Sequence, residues 1–194
     1  MSLPEQYFHI SVEDYLAGEK ISPVRHEYID GVVHAMAGGT VRHSRLGKNI
    51  YSRLERHLEN SECEAFIFDT KVRVSPTLYY YPDVVVTCEQ LDDDDLEILE
   101  PRLIVEVLSD STATTDRREK LREYRYIPTL HEYLVVWQNE MRVELFRRQE
   151  GDIWQLLIFT QPEELLTLAA VGLTMTLAEI YRNAHFPVSE SVLG

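Results

Sequence analysis

The chain has 194 residues, 44% of them hydrophobic and 27% charged, with a net charge of −14 and a pI near 4.9. That composition and length suit one globular domain over residues 1–194, large enough to bury a core without staples. The acidic balance excludes a broad, sequence-independent grip on nucleic acid, which needs a basic surface, but leaves room for a local basic cleft.

Cys63 and Cys88 form no CxxC pair and read as reduced thiols of a cytoplasmic protein. The first twenty residues lack the basic start and apolar run of a signal peptide. The longest uncharged stretch, Leu165 to Ala178, has 14 residues and includes Gly172 and three threonines. A membrane span takes roughly 20 apolar residues, so no membrane association is expected.

In chain order, Ser11 is a helix cap with Asp14 three residues on, which predicts a short N-terminal helix over 11–20. "RHEYIDGVVHAMAGG" reads as two strands turned at Asp30-Gly31. Leu46, Ile50, Leu54 and Leu58 recur at spacing four and predict an amphipathic helix with a basic outer face. "CEAFIFDTKVRVS" and "YYYPDVVVT" each read as a strand, the second with Pro82 at its start, and "LIVEVLS" as a third. "EQLDDDDLEILEP" is a solvated acidic connection.

"TTDRREKLREYRYI" predicts a helix capped by Thr114 or Thr115 and ended by Pro128. "HEYLVVW", "RVELFRRQ" and "WQLLIFT" read as a three-stranded meander. A short helix near "LAEIYRN" and a polar tail from about residue 184 close the chain. The order implies an α/β (α+β mixed) fold with a central mixed β-sheet flanked by helices.

Two carboxylates sit where structure alone does not favour them. Asp83 opens "PDVVV", and Glu106 lies inside "LIVEVL". A charge in an apolar strand is costly unless paired, ligated or at a strand end. An Asp and a Glu on neighbouring strands can hold Mg2+ or Mn2+, the remaining places going to water and substrate phosphate. The competing reading is a turn cap for Asp83 and an arginine partner for Glu106.

"PD" before one strand and "EVL" ending another resemble the PD-(D/E)xK nuclease superfamily. The wider set "RHEYIDGVVHAMAG", "YYPDVVV", "LIVEVLSDST", "DRREKLREYRYIP" and "EYLVVW" resembles, in that order, the Uma-type endonuclease family, over about Ser11 to Tyr181. The resemblance implies a restriction endonuclease-like core, a metal-dependent nuclease activity on nucleic acid, with DNA the expected substrate, and a homodimer. It also implies metal-ligand and catalytic roles for Asp83 and Glu106. The superfamily pattern puts lysine at position 108, where this chain has Leu108.

The replacement is Lys120. Asp116, Lys120 and Tyr124 fall at i, i+4 and i+8 on one stripe of the following helix. The resemblance supports this through a matching D-x-x-x-K-x-x-x-Y; a plain Asp–Lys helix pair is the alternative. Glu27 is a further catalytic acid by the same resemblance, against a surface pairing with Arg25. His43, beside Arg42 and Arg45, is a candidate for phosphate binding or proton transfer. Asp69 ranks below these as a second acid or turn former. Tyr79 to Tyr81 can stack on bases or pack in the core. Arg117, Arg118, Arg122 and Arg125 can meet phosphates or form a solvated face. A catalytically weakened nucleic-acid-binding or regulatory module, favoured by Leu108 and the negative charge, is the second reading. A structural homodimer subunit, using "EYLVVW" and "RVELF" as apolar surface, is the third.

Overall fold

The structure is a computed structural model describing residues 9–36, 38–108 and 115–186, with backbone alone for 115–118 and 152. In chain order the elements are α1 (Val12–Glu19), β1 (His26–Ile29), β2 (Val32–Ala35), α2 (Val41–Leu58), β3 (Glu64–Ile67), β4 (Lys71–Ser75), β5 (Leu78–Tyr80), β6 (Val84–Thr87) and β7 (Glu97–Ile98). They continue with β8 (Pro101–Leu108), α3 (Thr115–Tyr124), β9 (Glu132–Trp137), β10 (Val143–Arg148), β11 (Trp154–Phe159), β12 (Leu165–Leu168), β13 (Leu173–Thr176) and α4 (Leu177–Ile180).

A six-stranded sheet, ordered β11-β10-β9-β8-β6-β3, carries the centre of the molecule. Its pairings are antiparallel except β8 with β9, which are joined through α3 as a crossover unit. One face is covered by α2, whose Leu46, Ile50, Leu54 and Leu58 meet Val84, Val86, Leu103, Val105 and Val107. Each such leucine or isoleucine contributes about 1.5–3 kcal/mol by leaving water. The other face, with Val85, Ile104 and Leu108, packs against Tyr124, Ile127 and Leu130, and against Val72 and Tyr80 of a second, five-stranded sheet. That sheet is ordered β2-β1-β5-β4-β7. Both faces of β8 are therefore buried, as its continuous apolar run requires.

The Asp30-Gly31 turn forms as predicted, with φ of 45° and 94° and Ile29 paired to Val32. Both central residues sit in the left-handed region, which an Asp-Gly turn adopts at low cost. The Ser11 cap accepts from the Asp14 N–H at 3.1 Å, and the C-terminal helix starts with a capping box of Thr176 and Glu179.

Two of the predicted strands are broken. "CEAFIFDTKVRVS" divides into β3 and β4, with Phe68 at φ 64° between them, and "YYYPDVVVT" divides into β5 and β6 around Pro82-Asp83. In both places the chain crosses from one sheet to the other, and alternation cannot reveal a change of sheet. α3 stops at Tyr124, and Pro128 follows a turn; the proposed caps Thr114 and Thr115 lie outside the described residues or side chains. The β12–β13 hairpin was not predicted.

The cysteines are a correction. Cys63 and Cys88 form a disulfide, with Cα atoms 3.9 Å apart. They stand one register step beyond the Glu64–Thr87 pair of β3 and β6, so strand pairing brings together residues 25 apart in sequence. Among the described residues no helix is long and apolar enough to cross a membrane.

Candidate active site

Antiparallel register sets the two carboxylates near each other. Val84 pairs with Val105, which brings Asp83, the residue just before β6, to the stretch of β8 that holds Glu106 and Val107. Each is 9% exposed. Asp83 stands at the strand end, where Pro82 has no N–H to give, and its Oδ2 accepts the Val107 N–H at 2.6 Å. The same oxygen lies 3.2 Å from His43 Nε2. The cap formed by Thr40 on the His43 N–H fixes that histidine in the first turn of α2.

Glu106 Oε1 accepts from Lys120 Nζ at 3.2 Å and from the Tyr124 hydroxyl at 3.0 Å. Lys120 also donates to Glu27 Oε1 at 2.8 Å. The i, i+4 stripe of α3 thus delivers both Lys120 and Tyr124 to β8, and β1 supplies Glu27 from the second sheet. The Lys120 ammonium lies 4.9 Å from the centre of the Tyr80 ring, and Tyr80 in turn donates to Glu123.

Burial pushes the Glu106 carboxyl up to about 8 against the pull of the Lys120 ammonium, and the charges of Asp83 and Glu27 push the same way. Burial alone would lower His43, but the Asp83 hydrogen bond and charge outweigh it and raise the imidazole. Tyr124 is raised well above its ordinary value, first by burial and then by Glu106. The cluster is short of positive charge, with three carboxylates facing one lysine and one histidine. Among the described residues no three His, Cys, Asp or Glu side chains are gathered closely enough to hold a metal unaided. A cation here would use one or two carboxylates and take its other oxygens from water and substrate, as magnesium commonly does.

All five candidate residues, Asp83, Glu106, Lys120, Glu27 and His43, meet at this one place. Glu27 does not pair with Arg25; Arg25 instead lies 3.6 Å from Asp69, whose side chain is 77% exposed. Asp69 is therefore a turn residue away from the cluster. Tyr79, Tyr80 and Tyr81 are all buried, which removes them as a stacking platform for bases. Arg122 and Arg125 are exposed, while Asp116, Arg117 and Arg118 lie outside the described side chains. The sequence reading did not assign Tyr80, Glu123 or the Val107 N–H, which no local pattern marks. Tyr124 was legible as part of the stripe but not as a partner of Glu106.

A central mixed sheet flanked by helices is the architecture of the restriction endonuclease-like fold. The chain belongs to the Uma2 family, "Putative restriction endonuclease", whose model matches residues 12–178. Among its relatives is "Uncharacterized protein slr1290" of Synechocystis sp. (strain ATCC 27184 / PCC 6803 / Kazusa), 35% identical over 179 residues, 91% of this chain and 94% of the relative. A second from the same organism, "Uncharacterized protein sll1609", is 32% identical over 151 residues, 76% and 85% of the two chains. The fold is shared with a crystal structure from Anabaena variabilis ATCC 29413, of "a putative nuclease belonging to DUF820". Its TM-score is 0.72 at 15% identity, over 89% of this chain and 97% of that one.

Proposed function

We propose that this chain is a nuclease that hydrolyses phosphodiester bonds of nucleic acid, DNA foremost, with a divalent cation. The observation that carries the reading is Asp83 held on the Val107 N–H, next to Glu106 on β8, with the Lys120 ammonium on the Glu106 carboxylate. Hard carboxylate oxygens short of positive charge fit Mg2+ or Mn2+. Asp83 and Glu106 would hold the ion. When bound, it supplies charge neutralisation at the phosphate and a lowered pKa for water.

The remaining work falls to the chain's own groups. Glu27 and Glu106 hold the Lys120 ammonium, which orients the attacking water and offsets negative charge growing on the phosphate. This replaces a lysine at 108, where Leu108 packs in the core instead. Tyr124 fixes the Glu106 carboxylate, and His43 stands on Asp83 as a proton donor or acceptor. Family membership supports the reading, and so does the convergence of Lys120 on Glu106, which a weakened binding module would not need.

Manganese titration by calorimetry, followed by assays on single- and double-stranded DNA and RNA, tests it. Asp83→Ala and Glu106→Ala should lose metal binding. Together with Lys120→Ala they should lose cleavage by roughly a hundredfold or more. Absent metal binding, or equal cleavage by all variants, refutes the nuclease; binding without cleavage favours a regulatory module. Sedimentation of the intact chain tests the homodimer expected of a fold that cuts two strands.

A further inference from the structure

A cavity of about 370 Å3 opens beside the site at the start of α2. Arg42, Arg45 and His185 line it with Thr40, Gln138 and Asn139, and none of the described residues lining it is acidic. One sign of charge is thus concentrated here in a chain whose net charge is −14. Two further features favour an anion in this cavity.

The Arg42 guanidinium is fixed by Asn139 Oδ1 at 2.9 Å and the Gln138 carbonyl at 3.4 Å, both neutral acceptors, so its charge is left unopposed. Arg45 is half-buried and, among the described residues, has neither an ion pair nor a hydrogen bond. Gln138 is 5% exposed, and its Oε1 accepts from Thr40. A half-buried guanidinium that no group of the protein accepts from keeps its donors free for an anion. The first turn of the 18-residue α2 adds partial positive charge from its free N–H groups.

The placement says which anion. His43, next to Arg42 in that turn, touches Asp83. Gln138 follows Trp137, the register partner of Leu108, two residues beyond Glu106 on β8. The cavity therefore borders the end of β8 that carries the carboxylate.

We propose that this cavity binds a backbone phosphate of the nucleic-acid strand, flanking the bond to be cut, and so sets how the strand enters the site. The inference rests on the nuclease reading. Such a contact is sequence-independent and releases counterions, so each phosphate lost lowers the slope of log affinity against log salt by about 0.7–0.9.

The test is fluorescence anisotropy of a labelled oligonucleotide duplex in EDTA across a salt series, with parallel cleavage assays in Mn2+. Arg45→Ala disturbs no internal bond and is the primary variant, joined by Arg42→Ala/Arg45→Ala. Arg56→Ala, exposed in the last turn of the same helix, is the charge-matched control. The proposal expects the double variant to bind roughly tenfold or more weakly at moderate salt, with a slope lower by about one to two, and Arg45→Ala to lie between it and wild type. Arg56→Ala should match wild type.

Equal affinity and slope for Arg45→Ala, the double variant and Arg56→Ala overturns the phosphate cavity; if wild type still cleaves, the nuclease reading survives. Selective loss of binding by the arginine variants without cleavage by any protein supports the cavity and sinks the nuclease. No binding by wild type at low salt overturns the cavity outright.

Discussion

Tyr124→Phe removes one oxygen from the centre of the site and leaves the ring contacts in place. The Tyr124 ring lies 5.6 Å from Tyr80 and 5.3 Å from Tyr133, and neither contact depends on the hydroxyl. What disappears is the 3.0 Å bond from a fully buried Tyr124 to a Glu106 that is 9% exposed. Above about pH 8, where the Glu106 carboxyl is ionised, a hydrogen bond to this charged group contributes about 1.5–3 kcal/mol net. Because the carboxylate keeps Lys120 at 3.2 Å, it is not orphaned, and the loss belongs near the lower end of that range. For a chain of this size the corresponding fall in Tm is roughly 3–6 °C. Urea unfolding in EDTA, followed by far-UV circular dichroism, measures it. In a Glu106→Met background the hydroxyl has no acceptor, so the same Tyr124→Phe change should be neutral or slightly stabilising. A loss below about 0.5 kcal/mol in the native background, within ordinary surface-mutation scatter, refutes the role assigned to this bond. So does an equal loss in both backgrounds.

Reduction of the Cys63–Cys88 bridge should lower stability by about 3–4 kcal/mol on the chain-entropy model, so dithiothreitol should depress Tm by roughly 7–14 °C. Cys63→Ser/Cys88→Ser should melt at the reduced protein's temperature and ignore the reductant; an unchanged Tm on reduction would show that the bridge does not form. Lys71 is 3% exposed between the rings of Tyr15 and Tyr79, at 5.4 and 5.7 Å, and burial lowers its pKa. Glu97 and Glu19 oppose that shift, while Arg25 and Lys20 reinforce it. The unfolded chain therefore binds this proton more tightly, and the contribution of Lys71 to stability rises with pH between its lowered value and 10.5. Lys71→Met should gain stability over wild type below that window and lose the advantage as pH climbs through it. A difference that does not change with pH in calorimetric melts would contradict the burial argument.

Much of the site was readable before any coordinates because the chemistry is local to short patterns. A glutamate inside an apolar strand and an aspartate after a proline are costly placements that announce themselves. The Asp-Gly hairpin, the cap at Ser11, and the four-residue spacing of Leu46 to Leu58 follow from backbone preferences and helical period, which act over a few residues. That Lys120 and Tyr124 share one stripe of the next helix was legible, because i, i+4 geometry does not depend on what the helix packs against.

Tertiary structure alone decided the rest. Alternation shows that a residue is in a strand but not which sheet the strand joins, so the breaks at Phe68 and Pro82 were invisible. The disulfide depends on β3 pairing with β6, a contact between residues 25 apart that no spacing rule encodes. Glu27 could have met Arg25 or the cluster until the five-stranded sheet closed over α3 and brought it 2.8 Å from Lys120. The polar contacts that link Glu27, Lys120, Glu106, Tyr124, Asp83 and His43 join β1, β8, α2 and α3 across up to 93 residues of sequence. The types of residue able to do chemistry were written along the chain; which of them share a carboxylate was settled by strand register and by the burial of both faces of one sheet.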